Sequence, residues 1–237
     1  NLCPLKTIPL RLGVYAYKRI TTFFSLESII YYSSNRTTCM RRFIISLTFI
    51  TLLSFSICFA QNPDIDLLKT INLNRDLALD TFFSVVTHLA YPIAFILPLL
   101  LLLIGVVKNN FFGKHQFIYL VLSLLLAFSF TETLKYLVNR PRPYITYAII
   151  QNTTLVGSPS FPSGHTTISF TLATALFLLF RKWYIAVVAY LWALLVLYSR
   201  IDLGVHYPSD VIAGALLGSG TAWLCYFIVN RYHRNAL

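Results

Sequence analysis

Five apolar stretches, each carrying almost no charge, fill the chain from residue 92 onward, at roughly 92–107, 117–138, 166–180, 183–198 and 210–229. Hydrocarbon offers backbone amides no partner, so segments of this kind must satisfy their hydrogen bonds internally, as helices. The expected fold is therefore all-α, an integral membrane helical bundle. A sixth apolar run, 43–59, follows Met40-Arg41-Arg42 and ends at Ala60-Gln61. A basic start, an apolar middle and small residues at Cys58 and Ala60 have the layout of a secretory signal, or of a first membrane helix that is never cut. The bundle then has five or six transmembrane helices. Residues 1–39, ahead of the single methionine, read as an untranslated or disordered extension. Residues 40–60 read as signal peptide or first helix, and 61–237 as the membrane domain. Residues 61–91 alternate Asp64, Asp66, Lys69, Arg75, Asp76 and Asp80 with Leu and Ile, the pattern of short amphipathic helices lying on the membrane surface.

Charge settles which partners and which side of the bilayer to expect. The chain is 57% hydrophobic and 11% charged, where soluble domains carry about a quarter charged residues. The net charge of +11 does not make a nucleic-acid face, because the basic residues fall in short clusters between apolar runs. The clusters Arg41-Arg42, Lys108 with Lys114, Arg181-Lys182, and Arg231 with Arg234 all fall on one side if the chain crosses at every apolar run. That side is expected to be the cytoplasm. The acidic residues after Met40, from Asp64 to Asp210, fall on or near the other side, and so do Lys135, Arg140, Arg142 and Arg200. Basic residues placed against the usual bias need a local reason, and a bound anion supplies one. Only Cys225 lies beyond residue 60, so no disulfide framework or zinc cluster can be built there. Cys225 and Arg231 have the spacing of a cysteine phosphatase, but Tyr, Phe, Ile, Val and Asn between them leave no glycine-rich phosphate loop. Gly214-x-x-x-Gly218 marks close helix packing.

Three stretches on the side opposite the basic clusters hold most of the unusual polar residues. The first runs from Lys135 through Arg142 to Pro143. The second is Ser160-Phe-Pro-Ser163-Gly164-His165. The third runs from Ser199-Arg200 through His206 to Asp210 and joins the last two apolar segments. An antiparallel bundle brings all three to one end. Lys135, Arg142 and Arg200 then supply three cations, and arginine forks match phosphate oxygens. Ser163, Gly164 and His165 open a helix, whose first amides and positive dipole end attract an anion, with Gly164 permitting close approach. His206 is read as a nucleophile forming a phosphohistidine, with Asp210 bonded to its other ring nitrogen to fix the tautomer. His165 is read as the acid that protonates the leaving oxygen and the base that later activates water. No metal is expected, because these loops offer only Asp202 and Asp210 as acidic ligands against three cations. Glu132, one turn before Lys135, can pair with it. His88 and His115 fit no pattern and read as interfacial.

The set Lys-x6-Arg-Pro, Pro-Ser-Gly-His and Ser-Arg-x5-His-x3-Asp, complete and in order over residues 135–210, resembles the type 2 phosphatidic acid phosphatase and vanadium haloperoxidase superfamily. The resemblance implies a helical core over roughly 61–229 and metal-independent hydrolysis of a lipid phosphate or diphosphate at the outer face, with no cofactor. It implies phosphate binding by Lys135, Arg142, Ser163, Gly164 and Arg200, and catalysis by His206, His165 and Asp210. The partners expected are a membrane lipid phosphate and the bilayer, with no nucleic acid and with the oligomeric state open. Phosphotransfer between lipids through the same site is the alternative activity, while haloperoxidase chemistry belongs to soluble members and a non-catalytic transporter would not need the triad. Undecaprenyl diphosphate, phosphatidylglycerophosphate, phosphatidic acid and lipid A phosphates are all candidate substrates, with isoprenoid diphosphate and lipid A favoured. The compact chain and signal-like start fit a bacterial inner membrane enzyme whose site faces the periplasm.

Overall fold

The structure is a computed structural model that describes residues 61–107, 111–152 and 156–235. The signal-like run, the extension before it and the loop residue Lys108 lie outside the described residues, as do the side chains of Lys114, His115, Arg231 and Arg234. The described elements are helices α1 (Gln61–Leu73), α2 (Asp80–Val107), α3 (Phe111–Val138), α4 (Pro143–Thr146), α5 (Gly164–Phe180), α6 (Trp183–Asp202) and α7 (Pro208–Asn235), with a 3-10 turn at Leu77–Leu79 before α2. Four stretches, Leu77–Val107, Gln116–Thr146, Trp183–Asp202 and Pro208–Val229, are long and apolar enough to cross a membrane, and α5 is a shorter apolar helix.

The region 61–91 departs from expectation. Only α1 is a separate amphipathic helix, burying Asp64, Ile65, Leu68 and Asn72 while Asp66 and Leu67 stay exposed. From Asp80 the chain is already the first long helix among the described residues, which passes through Pro92 and Pro98 to Val107. Its buried residues Phe83, Val86, Thr87, Ala90, Ala94 and Pro98 keep helical spacing across position 92. Packing therefore carries the helix through a proline that, read alone, looked like a boundary; prolines are tolerated in membrane helices for this reason. Asp80 opens α2 and is held by Arg75 at 2.9 Å.

Helix α5 is the hub, packing on α2, α3, α6 and α7. Twelve of its 17 residues are buried, so it needs less lipid-facing apolar length than its neighbours. Its threonines hide their hydroxyls by bonding back one turn: Thr167 Oγ1 donates to the Ser163 carbonyl at 2.9 Å and Thr171 Oγ1 to the Thr167 carbonyl at 2.7 Å. The α5–α7 contact is close because Gly214 and Gly218 face it. A Cβ at Gly214 would lie 2.8 Å from the Ser163 carbonyl oxygen, and one at Gly218 would strike the Thr167 carbonyl. The glycine pair thus docks the start of α7 against the start of α5.

Candidate active site

Local chain chemistry ends α3 where its last side chains can turn inward. Asn139 adopts the left-handed conformation (φ 48°), and its amide bonds the Lys135 carbonyl at 2.8 Å, a common helix stop. Pro141 and Pro143 then hold the chain extended, and Pro143 opens α4. Between them Arg142 is buried, and its guanidinium is tethered at several points: Nε to the Ser158 carbonyl at 2.8 Å, Nη1 to the Val205 carbonyl at 2.8 Å, and Nη2 to Ser158 Oγ at 3.2 Å. Lys135, also buried, donates to Glu132 at 2.9 Å. A Cβ on Gly164 would lie 3.7 Å from Lys135 Nζ and 2.8 Å from the Tyr91 hydroxyl, so α3, α2 and the start of α5 converge here and a side chain at 164 would have to displace Tyr91.

Ser163 precedes α5, and its side chain caps none of the opening amides; its Oγ lies 3.0 Å from Thr166 Oγ1. Its backbone N–H donates to the Asp210 carbonyl at 3.1 Å, tying the two helix starts together. His165 sits in the first turn with its ring edge-on to Tyr91, centroids 4.6 Å apart, among the charges of Arg200 and Lys135 and beside His206. Arg200 was expected in a loop. It lies instead in the last turn of α6, buried, with Nη1 donating to Thr87 Oγ1 of α2 at 2.6 Å. Its Nε is buried with no hydrogen-bond partner among the described residues, a donor that an anion would satisfy. Asp202, two residues on, is buried as well.

Gly204 (φ 69°) turns the chain after α6. A side chain there would crowd Ile150 and Asn72, so both backbone angle and space call for glycine. The turn brings His206 back beneath Arg142. Pro208 opens α7, and the Asp210 side chain reaches back to accept from the Tyr207 amide at 3.0 Å, one half of a capping box. His206 Nε2 lies 3.3 Å from Arg142 Nη1. A guanidinium can only donate, so Nε2 presents its lone pair there and the ring proton falls on Nδ1. Nδ1 faces Asp210 Oδ2 at 3.5 Å and Ser160 Oγ at 3.5 Å. The direct carboxylate–imidazole bond expected from the sequence is therefore long. Asp210 Oδ2 is drawn off by Ser160 Oγ at 2.5 Å, and Oδ1 by Arg140 Nη1 at 2.7 Å. Burial, then the cations Arg142, Arg200 and Lys135, hold the His206 imidazole well below the usual histidine range, so it is neutral at physiological pH.

The structure thus gathers Lys135, Arg142, Ser163, Gly164, His165, Arg200, His206 and Asp210 at one end of the bundle. Three further residues join them. Arg140 stood in the sequence only as a basic residue against the charge bias, Ser160 only as the start of the second stretch, and Asp64 only as one acid of an amphipathic helix. The Arg-Pro-Arg-Pro repeat was a signal for Arg140. Nothing local signals Asp64, which is 76 residues from its partner.

Fold and site define an integral membrane helical bundle with a cationic cradle at one end, and the chain spans just under two thirds of the first curated relative it matches. The chain belongs to the PAP2 superfamily, whose family model matches residues 116–234. It is 34% identical to the lipid A 4'-phosphatase of Bacteroides thetaiotaomicron, over 56% of this chain and 64% of that protein. It is also 34% identical to the undecaprenyl-diphosphatase of Sulfolobus acidocaldarius, over 68% of this chain and 76% of that protein. In fold it resembles a transmembrane PAP2-type phosphatidylglycerolphosphate phosphatase from Bacillus subtilis, with a TM-score of 0.64 and 23% identity, covering 81% of this chain and 96% of that one.

Proposed function

We propose that the chain removes a phosphate from a membrane lipid, without a metal, through a phosphohistidine on His206 at the non-cytoplasmic face. The carrying observation is the pairing of a neutral, buried Nε2 with Arg142 Nη1 at 3.3 Å, beside an Arg200 Nε that lacks a partner. A phosphoryl group seated there meets a nucleophile and two guanidinium forks at once. Nε2 attacks phosphorus as the ester or anhydride P–O bond breaks. Burial and the cations Arg200 and Lys135 hold His165 well below the usual histidine range; the negative charge of the bound phosphate opposes them, and the resulting imidazolium gives its proton to the departing oxygen. Lys135, Arg142, Arg200 and the opening amides of α5 hold the non-bridging oxygens. Water then yields a proton to His165 and attacks phosphorus, the N–P bond breaks, and inorganic phosphate leaves. The donor set is cationic rather than carboxylate, which supports a reaction in which side chains, not a metal, neutralise the phosphate.

The lipid nature of the substrate is supported by an apolar cavity of about 440 Å³ between α2 and α3, lined by Phe95, Leu99, Leu125, Phe128 and Ile168 and reaching Tyr91. Tyr91 is the residue that packs on His165, so hydrocarbon in the cavity would continue into the phosphate site. The similar proteins favour a lipid A phosphate or an isoprenoid diphosphate, and the location we propose from the sequence is a bacterial inner membrane. Replacing His206 with Ala should abolish release of phosphate from these lipids in detergent, with chelator present throughout. Unchanged release from the variant, or loss of wild-type activity on adding chelator, would overturn the assignment.

A further inference from the structure

Helix α1 lies on the bundle beside α6 and α7, and one of its acids is not at the surface. Asp64 is 7% exposed, and its Oδ2 bonds Arg140 Nη2 at 2.7 Å. Asp64 Oδ1 accepts from the Ser209 amide at 2.8 Å, and Oδ2 accepts from Ser209 Oγ at 2.5 Å. Arg140 uses its other terminal nitrogen, Nη1, for Asp210 Oδ1 at 2.7 Å and for Ser209 Oγ at 2.7 Å, and its guanidinium lies over the Tyr207 ring at 3.7 Å. One cation is therefore shared between two buried carboxylates, and the second of these is the one facing His206 Nδ1.

We propose that Asp64 is a positioning residue for the reaction, holding Arg140 so that Asp210 is oriented yet keeps its negative charge toward His206. This rests on the function proposed above. Without Asp64, Arg140 and Asp210 would form a neutral pair. With it the trio carries a net charge of −1, and that anion is the counter-charge the His206 ring needs when Nε2 bonds to phosphorus and the ring becomes cationic. Asp64 touches no part of the phosphate cradle. Its effect falls on the chemical step and not on binding, because an interaction that strengthens only toward the transition state changes kcat rather than KM. The anchor comes from α1, so the interfacial helix belongs to the active site and is not merely a membrane foot.

The test compares full-length wild type with Asp64→Asn, Asp64→Glu and His206→Ala in detergent, using lipid A and undecaprenyl diphosphate. Asp64→Asn keeps an acceptor for the Ser209 amide but removes the charge. Its kcat and its rate of phosphoenzyme formation should fall on the order of tenfold, the usual scale for groups that orient a reacting side chain. KM and inhibition by vanadate should stay within about twofold of wild type. Asp64→Glu should recover most of the lost rate. Asp64→Asn turning over at the wild-type rate would overturn the proposal, as would equal losses in Asp64→Asn and Asp64→Glu accompanied by weakened vanadate inhibition, the mark of a purely structural anchor. An active His206→Ala would instead overturn the underlying function, whatever the Asp64 variants do.

Discussion

At the scale of single residues, the site depends on which atoms of each side chain are already engaged. Arg142 spends Nε and Nη2 on Ser158, leaving Nη1 between the Val205 carbonyl and His206 Nε2. Arg200 spends Nη1 on Thr87, and its Nε has no partner among the described residues. His165 has Tyr91 edge-on to its ring at the start of α5, and its proposed role is proton transfer. His165→Ala should slow lipid phosphate hydrolysis by about 10²–10⁴-fold. A substrate with a good leaving group, such as p-nitrophenyl phosphate, needs no proton on its departing oxygen, so its phosphoenzyme should still form at a rate within about tenfold of wild type. Rapid-quench labelling separates the two steps, and equal losses on both substrates would show that His165 is not the acid. That His165, His206 and Asp210 come to one end of the bundle was legible from the motif spacing, which sets His165 and Asp210 in first helical turns and His206 in the turn before α7. The Ser160 hydroxyl between His206 and Asp210 was not, since residues 46 and 50 positions apart meet only after folding.

At the scale of elements, the contact between α5 and α7 sets the distance between the phosphate cradle and the histidine. Gly218 has the Thr167 backbone against it, and Gly214 has the Ser163 carbonyl. Backbone cannot move aside as a flexible side chain can. Gly218→Leu should therefore push the helices apart and cost about 1–3 kcal/mol by overpacking, seen as a lower Tm in detergent. Activity should fall further than the folded fraction does, because Ser163 N–H and the Asp210 carbonyl would separate. A Tm equal to wild type would mean the pair is not a packing device. The small-x-x-x-small pattern was readable as a helix contact, but not its partner, because every apolar helix in such a chain offers a plausible face. The start of α2 was misjudged for a related reason. Pro92 and the charged residues before it look like a boundary locally, and only burial of Phe83, Val86, Thr87 and Ala90 shows that the helix begins at Asp80.

At the scale of the whole molecule, Arg181 and Lys182 lie between α5 and α6 at the end opposite the site, exposed, while the loop bearing Gly157 lies at the site end, also exposed. The proposed orientation puts the first in the cytoplasm. In a cysteine-free background, Gly157→Cys should react with a membrane-impermeant thiol reagent added to intact cells or spheroplasts, and Lys182→Cys only after permeabilisation; the reverse pattern would invert the topology. Hydropathy alone determined that this chain is a helical membrane bundle, since continuous apolar runs of this length satisfy their amides in hydrocarbon as helices rather than as short alternating barrel strands, and the motif spacing alone determined which cations and imidazoles share one end of it. Tertiary structure decided the rest: that Arg200 closes a helix, that Ser160 and Arg140 divide the Asp210 carboxylate, and that Asp64 reaches them from α1. Short-range rules act on neighbours along the chain, whereas a buried charge must find its partner wherever the packed helices bring one, and no local pattern records where that is.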